Sequence, residues 1–178
     1  MNFTTKETFL LEDQKNQEQI CIQKYTNYAS MASSQELKNI FQQNAQKEQE
    51  HYNTIDQLLK GQMPSMSQSG GQQQSGSQQQ PDGGQKPGSQ QSGNQMQMKS
   101  IGQSFQSQGS SGYSNSDKDL CTDMLMTEKF VSGAYDTAIF EFRDPQIRSI
   151  LNHIQKEEQQ HGETIFKYME SNGMYQAK

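Results

Sequence analysis

Apolar residues are scarce in this chain, and the scarcity bounds what it can fold into. Only 29% of the 178 residues are hydrophobic and the mean hydropathy is -1.06, so one large uniform core is excluded and part of the chain is expected to stay unfolded. Nowhere do about 18 apolar residues run together, and the N-terminus, MNFTTKETFLLEDQKNQ, lacks a charged start followed by a long apolar stretch. Neither membrane insertion nor export by a signal peptide is expected, which leaves cytoplasmic synthesis. Basic charge is short as well. A net charge of -5 and a pI near 5.2 repel phosphate backbones, and no basic stripe with interleaved aromatics is present. Nucleic acid is therefore not an expected partner. Two cysteines, Cys21 and Cys121, are too few for a disulfide framework, and both sit in helical patterns among apolar neighbours. They read as reduced core thiols.

What the chain does contain is concentrated at its two ends. From 61 to 115 the sequence is almost entirely Gln, Ser and Gly and holds three of the four prolines, the composition of a disordered linker. Residues 1–60 and 116–178 each carry two helical patterns with clear punctuation. Thr4 with Glu7 reads as a capping box opening the first helix, and Ser33 with Glu36 opens the second, which closes at Gly61. Ser116 with Asp119 starts the third, while Asp144 and Pro145 form the N-cap and first-turn proline of a fourth that ends at Asn172-Gly173. The expected fold is all-α: a four-helix bundle made of two helical hairpins packed as one unit and joined by the linker.

Each helix carries an inward stripe that is interrupted by polar groups. The second places Leu37, Phe41, Asn44, Glu48, His51, Ile55 and Leu58 at steps of four and three, and the fourth repeats this with Ile147, Leu151, Ile154, Glu158, His161, Ile165 and Tyr168. The first offers Leu11, Glu18, Ile22, Tyr25, Ala29 and Ala32, and the third Cys121, Leu125, Glu128, Ser132, Tyr135, Ile139 and Phe142. Burying the mid-helix carboxylates costs several kcal/mol apiece unless something neutralises them.

The two ends are an internal repeat. Glu18, Tyr25, Glu48 and His51 recur 110 positions later as Glu128, Tyr135, Glu158 and His161, with Thr54 and Ile55 matched by Thr164 and Ile165. Each E-x-x-H triplet sets a carboxylate and an imidazole one turn apart on a helix face, where both can converge on one metal ion. Four carboxylates total -4 and two divalent ions supply +4, which leaves a neutral interior. In this reading Glu48 and Glu158 bridge both ions, Glu18 and His51 complete one, and Glu128 and His161 the other. Tyr25 and Tyr135, two turns beyond the terminal glutamates, are placed to hydrogen-bond carboxylate oxygens, although a core aromatic with a satisfied hydroxyl is the plainer reading. The competing arrangement has no metal and leaves the glutamates and histidines partly solvated or paired with lysines such as Lys24, Lys47 and Lys129. Glu50 and Glu157 read as solvated, and His153, with no Glu three residues before it, as a surface residue.

Glu-x6-Tyr followed by Glu-x-x-His, present twice, resembles the di-metal site of the bacterioferritin, rubrerythrin and manganese-catalase group of the ferritin-like superfamily. That resemblance implies a pair of transition-metal ions, Fe or Mn, at the six ligands, and an oxidoreductase of peroxidase, catalase or ferroxidase type. The chain departs from rubrerythrin at Val131, where that family has a second glutamate, and it has no Cys-pair electron-transfer module. Separately, the TEK…AYDTAI…DPQIR…YMESNGMY run of the C-terminal end is similar to the Coat F family of spore coat proteins, whose chains usually end in Gly-Trp-Tyr where this one has Met174. The Coat F likeness implies a place in the spore coat, other coat proteins as partners, with a homodimer left open, and an alternative role. In that role the bundle serves assembly and the Gln-rich linker tethers or crosslinks.

Overall fold

The computed structural model describes residues 1–64 and 116–175, so the linker expected from 61 to 115 lies outside the described residues beyond position 64. The described residues form four helices: α1 (Thr5–Met31), α2 (Gln35–Leu59), α3 (Asp117–Glu141) and α4 (Pro145–Ser171). α1 packs on α2 and α3 on α4, and the two hairpins meet through α1 with α3 and α2 with α4. The all-α, four-helix bundle of two hairpins expected from the sequence is the observed architecture. No described helix is long and apolar enough to cross a membrane.

The punctuation acts largely as read. Thr4 and Glu7 form a reciprocal capping box, Ser116 accepts from Asp119 N–H, and Asp144 caps α4 ahead of Pro145. Gly61 (φ 74) and Gly173 (φ 67) turn the chain out of α2 and α4. The next N–H in each case, Gln62 or Met174, bonds back to the carbonyl of Gln57 or Met169, which satisfies an otherwise orphaned group. One start differs from expectation: Ser34, not Ser33, caps α2 through Leu37 N–H at 3.1 Å. Ser33 is engaged elsewhere, its N–H and Oγ donating to the Asp117 carboxylate at 2.8 and 2.6 Å.

That contact has a counterpart. Glu7 accepts from the backbone N–H of Arg143 at 3.1 Å and from its guanidinium at 3.2 Å. Glu7 and Asp117 are 110 positions apart, as are Ser33 and Arg143, so each hairpin grips the turn of the other with the carboxylate at the start of its first helix. Lys6 with Glu141, Lys24 with Asp123 and Tyr28 Oη with Asp123 align α1 and α3 antiparallel. The start of α3 thus lies beside the start of α2, and the end of α2 lies at the far end of the bundle.

Burial opposes ionisation of Glu7, but the N–H groups of Thr4 and Arg143 and the guanidinium outweigh it and hold the carboxyl at about 2 against an ordinary 4.5. A folded value below the unfolded one stabilises fully above the unfolded value and is lost as pH falls through the folded one. Glu7→Gln should therefore cost roughly 1–2 kcal/mol at neutral pH, the exposed Arg143 side keeping the figure modest. In denaturant melts the gap from wild type should close as pH drops from about 4.5 to about 2. A gap that is unchanged across that window would refute the clamp.

The interior follows the stripes of α2 and α4 residue for residue, with Ile150 and Met169 added. α1 and α3 are turned slightly from expectation. Cys21 rather than Ile22 is fully buried, Glu7 and Gln14 join it, and Met124, Val131 and Ala138 take the places expected for Leu125, Ser132 and Ile139. Leu125 and Ser132 instead face a groove beside α4. Both cysteines are buried free thiols, as the composition implied.

Candidate metal centre

The six residues singled out by the repeat come together at mid-bundle, one glutamate from each helix and one histidine from each of α2 and α4. Glu18, Glu48 and Glu158 are 0% exposed, Glu128 and His51 2%, and His161 5%. These positions lie inward because they continue the buried faces of their helices, which on α2 and α4 are mostly large apolar residues. Phe41 and Ile55 flank the α2 pair, and Leu151 and Ile165 the α4 pair.

Two overlapping clusters result. Glu18, Glu48, His51 and Glu158 offer ligand atoms all within 4.8 Å of one another, and so do Glu48, Glu128, Glu158 and His161. Glu48 and Glu158 belong to both. His51 Nδ1 lies 2.9 Å from Glu158 Oε1, 3.2 Å from Glu48 Oε2 and 3.7 Å from Glu18 Oε2. His161 Nδ1 lies 3.1 Å from Glu48 Oε1, 3.8 Å from Glu128 Oε2 and 4.0 Å from Glu158 Oε2. The two imidazoles stack at 5.7 Å between ring centres.

The tyrosines reach across the repeat. Tyr25 Oη donates to Glu128 Oε1 and Tyr135 Oη to Glu18 Oε1, so each hairpin orients the terminal glutamate of the other. Asn44 Nδ2 donates to Tyr25 Oη at 3.1 Å, a support that Ile154, its counterpart, does not supply. Burial, followed by the field of the nearby carboxylates, pushes both phenols well up.

Glu157 is the residue whose role the sequence reading missed. Rather than being solvated, it accepts from His51 Nε2 at 3.0 Å and lies 3.4 Å from His153 Nε2. Glu157 holds the Nε2 side of the ring and so turns Nδ1 toward the carboxylates; on loss of the Nδ1 proton that nitrogen could ligate a cation while Glu157 keeps the Nε2 proton. No spacing rule pointed to it, because its partner is on α2. His153, 40% exposed on its side chain, stays outside the cluster. The lysines do not neutralise the acids: Lys24 pairs with Asp123 and Lys47 with Glu50.

The electrostatics of the cluster are those of acids buried close together. Glu18 Oε2, Glu128 Oε2 and Glu158 Oε2 are buried without a hydrogen-bond partner, their nearest imidazole nitrogens standing 3.7, 3.8 and 4.0 Å away, while Glu158 Oε1 faces His51 Nδ1 at 2.9 Å. Burial pushes Glu18 upward, and burial together with the charge on Glu48 pushes Glu158 well up. Glu48 moves down, because donation from His161 and His51 outweighs its burial. Both imidazoles are raised against the opposing effect of burial, His51 by Glu157 and the cluster, His161 by Glu128 and Glu48. Buried carboxylate oxygens beside two inward imidazole nitrogens are a donor set that could hold cations, and hard oxygen with imidazole suits Fe(II) or Mn(II).

Comparison with known proteins adds one finding. Residues 116–178 match the Coat F domain. The match supports the likeness read from the C-terminal end and points to the spore coat. It spans about a third of the chain and takes in α3 and α4 with Glu128, Glu158 and His161, whereas Glu18, Glu48 and His51 lie outside the Coat F segment. No curated protein and no solved structure matches the chain.

Proposed function

We propose that this is a spore coat protein whose ferritin-like bundle holds two iron or manganese ions and consumes peroxide. The observation that carries the metal reading is the pair of buried clusters sharing Glu48 and Glu158, with three carboxylate oxygens unpartnered. Glu18 and His51 would complete one ion, Glu128 and His161 the other. Such a pair supplies a two-electron change, and two peroxide molecules yielding water and dioxygen need no outside reductant. The residues of this chain then have defined tasks. Glu157 fixes the His51 tautomer, the two phenols hold the terminal glutamates in place, and the apolar stripes keep bulk water away.

The Coat F match supports the coat location and also a second reading, in which the bundle is an assembly element and any metal is structural. Turnover separates the two. Manganese-loaded protein should evolve dioxygen from hydrogen peroxide at least about tenfold faster than the same concentration of free Mn(II). A loaded protein no faster than free ion would leave the structural reading in place.

A further inference from the structure

The two halves of the centre are covered differently, and the difference lies in three pairs of repeat-related residues. In the first hairpin Lys15, Tyr52 and Asp56 fill the outer seam between α1 and α2: Lys15 Nζ meets Asp56 Oδ1 at 2.6 Å and stands 5.1 Å from the centre of the Tyr52 ring. The hollow beside them, about 460 Å³, is lined by Lys15, Tyr52 and Leu59 among others, and neither Glu18 nor Glu48 lines it. In the second hairpin the same positions, 110 later, are Leu125, Gly162 and Phe166. There the seam is open: a groove of about 650 Å³ runs between α3 and α4 and is lined at its floor by Glu128 and Glu158. Roughly 300–1,000 Å³ is usual for a small-molecule site.

Gly162 makes the opening. A Cβ there would meet only Leu125 Cδ1 at 3.6 Å and Glu128 Cβ at 3.8 Å, ordinary contacts, so nothing in the packing requires glycine at this mid-helix position. Glycine in a helix interior costs about 1 kcal/mol against alanine. The missing side chain leaves the space that Tyr52 fills in the other hairpin.

We infer that the α3–α4 groove is the route by which small uncharged molecules reach the centre, at the ion held by Glu128, Glu158 and His161; this rests on the metal reading above. The chemistry of the walls selects the class. Leu125 and Phe166 replace the Lys15–Asp56 ion pair with apolar surface, and the carboxylates at the floor disfavour an anion, so a neutral molecule of the size of peroxide or dioxygen fits best. Lys129, Asp136 and Glu163 are exposed residues of the same groove, where charge stays in water. A second hollow among the described residues, about 370 Å³ between α2 and α4, meets His161 beside Lys47, Glu50 and Glu157, a charged approach to a ring already engaged with Glu48.

Nitric oxide is a neutral probe of the same size, and its binding rate to the Fe(II)-loaded full chain can be followed by absorbance, with metal content measured in parallel. Gly162→Ala should bind within about twofold of wild type, whereas Gly162→Tyr should be slowed at least about tenfold with metal content unchanged. Thr164→Phe, which obstructs the α2–α4 hollow, should leave the rate as it is. Wild-type rates in a metal-replete Gly162→Tyr protein, or slowing by Thr164→Phe instead, would overturn the route. A wild-type chain that takes up no metal would overturn the metal reading itself and the route with it.

Discussion

Chelation should lower the melting temperature of this protein, and Fe(II) or Mn(II) should raise it by roughly 10 °C at metal concentrations near a hundred times the dissociation constant, since such binding contributes about 2.7 kcal/mol per site. The reason is the interior itself. Four glutamates and two histidines lie within a few per cent of complete burial, and without cations the cluster must take up protons on some of them, which is the meaning of the upward shifts at Glu18 and Glu158. Calcium or magnesium should stabilise far less, because neither favours imidazole. Differential scanning calorimetry with and without each ion makes the comparison. Identical melts with all four ions and with chelator would mean that the acids are content with their protons and with one another.

Substitution should rank the ligands. Glu48→Ala and Glu158→Ala each remove a side chain common to both clusters and should abolish paired binding, taking the content from about two ions per chain to near zero. Glu18→Ala and Glu128→Ala each remove a residue of one cluster only and should retain about one ion. His51→Ala and His161→Ala should fall between, and His153→Ala, outside the cluster, should keep the full complement. Glu157→Gln adds a finer test: an amide still occupies the place but holds the His51 Nε2 proton less firmly, so affinity should fall by about tenfold or more without loss of stoichiometry. Equal metal content in wild type, Glu48→Ala and Glu158→Ala would end the assignment of bridges even in a fully folded bundle.

Much of this arrangement was readable before the fold was known, and the residues explain where it was not. On α2 and α4 nearly every inward residue is large and apolar or belongs to an E-x-x-H triplet, so steps of three and four identify the buried face without ambiguity. On α1 and α3 the pattern is blurred, because Phe9, Ile20, Met126, Phe130 and Phe140 lie exposed while Glu7 and Gln14 lie buried. A periodicity argument weighs all of these the wrong way and puts Ile22 and Leu125 on the seam, one position from Cys21 and Met124, which line it. The six candidate ligands are nonetheless brought together, since both the stripes and the repeat contain them.

The cross-hairpin contacts were illegible for a different reason. Glu7 with Arg143, Asp117 with Ser33 and Glu157 with His51 all join residues more than 80 positions apart, and so do the tyrosine–glutamate bonds, whose carboxylate acceptors were expected but not which glutamate each phenol takes. Local spacing carries no information about such pairs. The shift of 110 did contain a trace of them, since it equates Glu7 with Asp117 and Ser33 with Arg143, yet neither pair looks conspicuous until the antiparallel setting of α1 against α3 is seen. The same shift equates Gly162 with Tyr52, and there the difference between the halves, rather than their likeness, carries the information.

The most direct test of the central claim is the metal content of the full chain, purified, loaded with Fe(II) or Mn(II), desalted and measured by elemental mass spectrometry against protein concentration. Two shared clusters predict close to two ions per chain for either metal. A stoichiometry near zero after loading would contradict the account.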